Sequence, residues 1–285
     1  MHFSPLSNLN LATDILAIAT QIAWESTDLL RAFYRGNDLQ VMDKAGEPVT
    51  NADLAVNQHI LDRLSPIFGN SCGYLTEETY QQQQAALTES WVWIIDPIDG
   101  TKEFVNKTGE YAVHIALIYQ QRPVLAVVAL PEIEKVYQAV QNCGAYVVNR
   151  SGQRQKLQVD RHKVLTDLTV IASRSHRSTA LEKILRGLPC QQQVQIGSVG
   201  GKIAAIIEHR ADVYISQSAT SAPKDWDLAA PELILTEAGG QFTHANGQAL
   251  RYNQADVSQW GCLVASSGHW HQQICSACLA ATAEI

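Results

Sequence analysis

The clearest chemical signal in the chain is an acidic segment that directly follows an apolar run. Residues 91–95 read Trp-Val-Trp-Ile-Ile, and residues 96–104 read Asp-Pro-Ile-Asp-Gly-Thr-Lys-Glu-Phe. The apolar run predicts a buried strand that delivers two carboxylates, Asp96 and Asp99, to a tight turn. With the carbonyl of Ile98 aimed between them, these groups form a set of hard oxygen ligands that suits Mg²⁺.

Three residues shape the backbone around these carboxylates. Pro97 fixes its own φ and favours an extended residue before it, and Gly100 frees the chain to turn. Thr101 can open a helix whose free N–H groups would meet an anion. We therefore expect a site for metal and phosphate, although Asp-Pro and Asp-Gly are also common turn pairs that bind nothing.

Composition narrows the class of protein. The chain has 285 residues, 46% of them hydrophobic and 17% charged, which is typical of a globular enzyme of one or two domains. A net charge of −7 argues against nucleic acid as a partner. The chain opens without the basic stretch and apolar core of a signal peptide. No apolar run approaches the roughly 20 residues that span a bilayer, and the six cysteines are scattered along the sequence. We expect no membrane partner, no disulfide framework and a cytoplasmic location.

The hydrophobic periodicity changes along the chain. Residues 8–35 have helical spacing, residues 37–49 predict a strand–turn piece, and a second helix begins near residue 50 and ends at Pro66. Beyond residue 91 come strand-like runs and then an alternation of strands and helices, an α/β pattern. The runs are at 91–95, 112–119, 123–130, 134–140, 144–148, 168–172, 192–196, 211–216, 240–243 and 261–266, and the helices at 178–187, 199–209, 227–238 and 269–281. We expect an α+β subdomain over residues 1–160, with a large, mostly antiparallel sheet, and an α/β subdomain over residues 161–285.

The segment 96–104 resembles the signature of the lithium-sensitive, Mg²⁺-dependent phosphatase superfamily. This superfamily includes inositol monophosphatases and 3′(2′),5′-bisphosphate nucleotidases. The Lys-Glu-Phe ending is similar to the nucleotidase branch, whereas inositol monophosphatases usually have Thr-Asn-Phe there. The resemblance extends from about residue 48 to residue 250. It implies a layered α-β-α-β-α sandwich of the inositol monophosphatase and fructose-1,6-bisphosphatase type, with the site in a cleft between two subdomains.

Three other acidic segments acquire a meaning through this resemblance. By themselves, Glu77 and Glu78 would be a solvated pair, Asp53 a helix-start residue, and either Asp225 or Asp227 a helix cap. The family has a Glu-Glu element whose first glutamate binds metal, a Trp-Asp pair that supplies the last ligand, and an aspartate that holds a further, weaker Mg²⁺. The implied metal ligands are Asp53, Glu77, Asp96, the Ile98 carbonyl, Asp99 and Asp227, for two or three Mg²⁺ per site.

The same resemblance assigns roles in catalysis and substrate binding. It implies that Asp53 and Thr101 orient or deprotonate the attacking water, and that amides near Gly100 and Thr101 cradle the phosphate. Two segments, Ala-Ser-Arg-Ser-His over 172–176 and Ile-Gly-Ser-Val-Gly-Gly-Lys over 196–202, are similar to nucleotide-binding segments of the nucleotidases. The arginine that some nucleotidases carry further along is absent from residues 214–217. The implied substrate contacts are Gly100, Thr101, Ser173, His176, Ser198, Lys202 and Asp227.

The expected reaction is hydrolysis of the 3′-phosphate of 3′-phosphoadenosine 5′-phosphate, giving AMP and phosphate. The implied role is disposal of a by-product of sulfate activation, by a monomer or homodimer that lithium inhibits. One alternative is an enzyme for another phosphate monoester, inositol monophosphate or inositol 1,4-bisphosphate. A second is a nucleotide-binding sensor without activity. Turnover measured on both substrate classes separates them.

Overall fold

Two β-sheets lie between three layers of helices in the computed structural model, which describes residues 9–44, 46–81, 85–159, 163–174, 178–190 and 192–283. From one face to the other, the order is helices, large sheet, helices, small sheet, helices. This is the α-β-α-β-α sandwich that the resemblance implies. The prediction of fold class is therefore confirmed.

The first helical layer covers one face of the large sheet. Helix α2 begins where the Thr50 side chain accepts hydrogen bonds from the N–H groups of Ala52 and Asp53, a strong start signal. It continues past Pro66 to Phe68, so the prediction that Pro66 ends it is wrong. The elements are α1 (Leu16–Arg35), preceded by a π-helical turn at Leu11–Ile15, the hairpin β1 (Val41–Lys44) and β2 (Glu47–Thr50), and α2 (Asn51–Phe68).

The large sheet has seven strands in the order of their sequence. The first two pair in parallel, and every other neighbouring pair is antiparallel. The parallel pair matters because parallel strands end at the same edge of a sheet. The strands are β3 (Gly73–Thr76), β4 (Trp91–Asp99), β5 (Ala112–Tyr119), β6 (Arg122–Leu130), β7 (Lys135–Val140), β8 (Gly144–Asn149) and β9 (Arg154–Leu157).

The remaining elements form the small sheet and the helices on its two faces. The sheet order is β11-β10-β12-β14-β13, so the chain crosses over the sheet between strands, as in α/β layers. The strands are β10 (Thr169–Ser173), β11 (Gln192–Ile196), β12 (Val213–Gln217), β13 (Gln241–His244) and β14 (Cys262–Ser266). The helices are α4 (Thr179–Gly187), α5 (Val199–Ile207), α6 (Asp225–Glu237) and α7 (His271–Ala283). The short helix α3 (Thr101–Val105) instead follows β4 directly and packs in the core between the large sheet and the first helical layer.

The core between the two sheets holds the helices that matter for the site. Helices α5 and α6 are buried there, and this core draws residues from both predicted subdomains, for example Val92 and Leu263. The division at residue 160 stays a prediction. Among the described residues, no helix is long and apolar enough to cross a bilayer.

Candidate active site

The acidic segment forms the irregular end of β4. The strand runs on through Asp99, beyond the expected end at residue 95, and its pairing with β5 shifts between Asp96 and Asp99. The N–H of Ile98 donates to Asp96 Oδ1 at 3.0 Å. Gly100 has φ +94°, a left-handed value that favours glycine, and Thr101 begins α3. The predicted turn is therefore present, in the form of a bulge followed by a short helix.

Two distant carboxylates meet this bulge. Glu77 directly follows β3, and its N–H donates to the carbonyl of Ile95 at 3.2 Å, so the parallel pairing places it beside Asp96. Asp227 lies in the first turn of α6, where its Oδ2 accepts the N–H of Lys224 at 2.7 Å. This contact gives Asp227 the helix-capping role that the sequence allowed. Asp227 is also close enough for its charge to act on Glu77 and Asp96.

Burial and mutual repulsion make these carboxylates hard to ionise. Burial raises the pKa of Glu77 and of Asp96 well above the usual range. The next cause is the charge of Asp227 for the pKa of Glu77, and the charge of Glu77 for the pKa of Asp96. Burial, and then the charge of Asp99, raise the pKa of Asp227 to about 6. Clustered acids of this kind favour a bound cation, and an all-oxygen donor set fits Mg²⁺. Within the part of the chain that the structure describes, no three His, Cys, Asp or Glu side chains are arranged to hold an ion as they stand.

Asp53 lies beside the same bulge through its contact with Thr101. Its Oδ2 accepts the N–H of Thr50 at 2.7 Å and the Thr50 hydroxyl at 2.6 Å. Its Oδ1 is 3.2 Å from the hydroxyl of Thr101, which is also 3.1 Å from the carbonyl of Ile98. Burial raises the pKa of Asp53 to about 6. A carboxylate with this pKa can accept a proton near neutral pH, and here the Thr101 hydroxyl is its hydrogen-bond donor.

The predicted substrate segments reach the site through the start of α5. A Cβ on Gly100 would lie 3.5 Å from the Cβ of Ser198, so the two glycine-containing loops face each other. Ser198 is buried, and its hydroxyl accepts the N–H of Gly201 at 3.0 Å as a helix cap. Ser173 is buried at the end of β10, and His176 lies outside the described residues.

Lys202 is also buried, with 3% of its surface exposed. Its Nζ donates to the carbonyl of Gly197 at 2.6 Å and lies 5.2 Å from the centre of the Tyr214 ring. Burial lowers the pKa of Lys202, while Asp99 and Glu103 oppose that change. The ammonium is therefore a buried cation that the charges of Asp99 and Glu103 stabilise.

Sequence reasoning missed His114 and the pair Glu110–Arg174. Arg174 donates to Glu110 Oε1 at 2.8 Å, and Glu110 Oε2 accepts the N–H of Gly197 at 2.9 Å, which fixes the loop before α5. His114 is buried on β5, with Nε2 3.1 Å from Asp99 Oδ2. A single histidine within an apolar strand gives no sequence signal, because its partners come from other elements.

Comparisons with known proteins give one consistent result. Residues 11–283 match the inositol monophosphatase family. The chain is 32% identical over 252 residues to the 3′(2′),5′-bisphosphate nucleotidase CysQ of Aggregatibacter actinomycetemcomitans, covering 86% of this chain and 90% of that protein. It is 32% identical to the CysQ of Escherichia coli K12, covering 81% and 91%.

Solved structures show the same fold. CysQ of Bacteroides thetaiotaomicron superposes with a TM-score of 0.77 at 24% identity, covering 91% of this chain and 99% of that one. The IMPase of Thermotoga maritima also has a TM-score of 0.77, at 20% identity, covering 95% and 98%.

Proposed function

Because the chain belongs to the inositol monophosphatase family, we propose that it is a Mg²⁺-dependent 3′(2′),5′-bisphosphate nucleotidase. Its substrate would be 3′-phosphoadenosine 5′-phosphate, and its products AMP and phosphate. Curated relatives with this activity in their names, at 29–33% identity over most of the chain, support the choice of substrate. The proposed role is removal of a by-product of sulfate activation.

The observation that carries the proposal is the convergence of four acids from β3, β4 and α6. Glu77, Asp96, Asp99 and Asp227 are buried or partly buried, and electrostatic repulsion couples them. We propose that they hold Mg²⁺ together with the Ile98 carbonyl, and that Asp53 adds a weaker site. Bound Mg²⁺ would supply charge stabilisation for the transferred phosphoryl group and lower the pKa of a bound water.

Thr101 and Asp53 would handle the proton of the attacking water. The Thr101 hydroxyl carries one proton and lies within hydrogen-bonding distance of Asp53 Oδ1. It can give this proton to Asp53 while its oxygen accepts one from the water. The second carboxylate oxygen of Asp53 is held by Thr50, which keeps the first directed at Thr101. This arrangement supports the proposal that Asp53 and Thr101 carry out the catalytic proton transfer.

The substrate would occupy the region where the two loops face each other. The amides near Gly100 and Thr101 are proposed to cradle the reacting phosphate. Ser173, His176, Ser198 and Lys202 are proposed to contact the remainder of the nucleotide. For Ser198 and Lys202, contact requires the loop at 197–201 to expose its polar atoms on binding.

Phosphate release from two substrates tests the proposal. Purified protein with Mg²⁺ should release phosphate from 3′-phosphoadenosine 5′-phosphate with a kcat/KM at least about 100-fold above that for inositol 1-phosphate, which is a transition-state difference of about 2.7 kcal/mol. Millimolar LiCl should inhibit at limiting Mg²⁺. The Asp96→Asn variant serves as the inactive control. A preference for the inositol phosphate would replace the nucleotide assignment. No phosphate release from either substrate would favour the alternative of a nucleotide-binding sensor without activity.

A further inference from the structure

The buried histidine on β5 contacts two of the elements that supply proposed metal ligands. His114 is 1% exposed and lies between β4 and the start of α6. Its Nδ1 is 3.2 Å from the carbonyl of Trp226, which can only accept, so Nδ1 carries the proton of this bond. Its Nε2 is 3.1 Å from Asp99 Oδ2. One ring therefore spans Asp99 and the backbone next to Asp227.

The oxygen that His114 faces is already held from another direction. The N–H of Gly200 donates to Asp99 Oδ2 at 2.8 Å, from the first turn of α5. Asp99 Oδ1 accepts no hydrogen bond from the described residues, which leaves this second oxygen for a ligand. The two oxygens of Asp99 thus have different surroundings.

The ring is accommodated by small neighbours. A Cβ on Gly200 would come within 2.6 Å of His114 Nε2 and 2.9 Å of the Cβ of Ala112. The glycine that holds Asp99 is therefore also the glycine that leaves room for the imidazole. Among the described residues, Nε2 has no hydrogen-bond partner of good geometry, and it lies 3.1 Å from Asp99 Oδ2.

We propose that His114 is a positioning residue for the metal site. Through its Nδ1–H bond to the Trp226 carbonyl, His114 fixes the start of α6, which carries Asp227. Its ring packs against Oδ2 of Asp99, which the amide of Gly200 holds, so that Oδ1 is directed at the cation. This inference rests on the proposed metal-dependent function, and it assigns to His114 no direct contact with substrate.

The test measures metal binding separately from turnover. Mn²⁺, which takes the same oxygen ligands as Mg²⁺, is titrated into metal-free protein by calorimetry, and kcat and KM are measured at saturating Mg²⁺. His114→Leu keeps most of the volume and removes both ring nitrogens. Residues that orient metal ligands typically contribute about 10–100-fold to affinity, so we expect at least a tenfold weaker Mn²⁺ affinity. The KM for the nucleotide should change by less than about threefold.

Two further variants separate positioning from packing. His114→Asn keeps a donor at the position of Nδ1, which can still reach the Trp226 carbonyl, and should recover affinity to within about threefold of the wild type. Val113→Ala alters the neighbouring residue on the opposite face of β5, which packs in the core between the large sheet and the first helical layer. It should lower Tm and leave Mn²⁺ affinity unchanged.

The outcomes distinguish this inference from the proposed function. Folded His114→Leu protein that binds Mn²⁺ as tightly as the wild type would overturn the positioning role alone. If His114→Leu does not fold, a loss of Mn²⁺ affinity of about tenfold or more in His114→Asn would do the same. Wild-type protein that binds no Mn²⁺ would remove the metal site itself, and with it the proposed function.

Discussion

Asp96 and Asp99 are the residues on which the proposed chemistry depends most. Both are buried at the bulge of β4, and each lies within electrostatic range of at least one other acid of the cluster. Their burial costs free energy that the fold tolerates only if the charges are compensated. A structural role alone would be filled more favourably by neutral side chains, which makes these two positions a direct test of function.

Replacing either aspartate should nearly abolish activity without unfolding the protein. Asp96→Ala or Asp99→Ala removes a ligand from a site that stabilises transferred charge, so we expect kcat to fall on the order of 10³-fold or more. Phosphate release and circular dichroism are the measurements. Asp212→Asn is the matched control, because Asp212 is equally buried but accepts hydrogen bonds from Lys163 and Thr169, outside the cluster. More than a tenth of wild-type rate in either alanine variant would remove that residue from the site.

Lys202 should govern nucleotide affinity more than chemistry. Lys202→Met keeps the apolar stem and removes the charge, so KM for the adenosine bisphosphate should rise roughly tenfold or more, the loss of one charge-assisted contact worth about 1.5–3 kcal/mol. The KM of a small monophosphate without the second phosphate should change little. If both substrates lose equally, the bond from Nζ to the Gly197 carbonyl is the main function of Lys202, and the residue is structural.

At the scale of elements, helix starts recur at the site. Asp53 is in the first turn of α2, Asp227 in that of α6, and Ser198 caps α5. A helix start offers free N–H groups and a favourable dipole for acidic side chains. The same side chains that begin the helices are thereby held in fixed positions, which suits residues that must point at one place.

The cap of α2 should couple helix stability to catalysis. Thr50→Val removes the hydroxyl that caps α2 and that donates to Asp53 Oδ2. We expect a loss of about 1 kcal/mol in the free energy of unfolding, and a decrease in kcat of roughly tenfold or more because Asp53 loses its orientation. Denaturant unfolding and steady-state kinetics measure the two effects.

A second buried threonine provides the comparison. The hydroxyl of Thr27 donates to the Ala23 carbonyl within α1, away from the acids. Thr27→Val should change stability by a similar amount at most and leave kcat as it is. Equal kcat in the two variants would show that the cap of α2 does not orient the base.

At the scale of the whole molecule, the acidic cluster should make stability depend on pH in an unusual direction. Asp53 and Asp227 have pKa values of about 6 in the folded protein and Asp225 about 7, all raised by burial, against about 4 when unfolded. The folded state therefore binds more protons than the unfolded state in this window. The resulting penalty is absent below about pH 4, grows as pH rises from about 4 to between 6 and 7, and is constant above.

Metal-free protein should accordingly be less stable at pH 8 than at pH 5. We expect Tm in EDTA to be lower at pH 8 by about 5 °C or more, because one carboxyl group shifted by about 2 pH units costs about 2.7 kcal/mol once ionised. Mg²⁺ should raise Tm more at pH 8 than at pH 5, since the cation replaces the protons. Differential scanning calorimetry measures both. Glu77→Gln should weaken the pH dependence, and a Tm that rises from pH 5 to 8 in EDTA would contradict the argument.

Local patterns in the sequence determined most of the elements and several site residues. Apolar runs predicted β5 and β6 closely, and Gly100 was predicted at the turn where its positive φ is found. Such features depend on residues adjacent along the chain, so their chemistry can be recognised there. The motif at residues 96–104 then led to the family, and the family to the layered fold.

Tertiary structure decided what local patterns do not encode. Strand β3 was not predicted, although its parallel pairing with β4 brings Glu77 to Asp96. Strand β9 was also not predicted, and it lies just before the predicted division at residue 160. His114 and Gly200 acquire their contacts with Asp99 only when β4, β5 and α5 pack together. Contacts between residues far apart in sequence depend on how whole layers pack, and no local spacing records them.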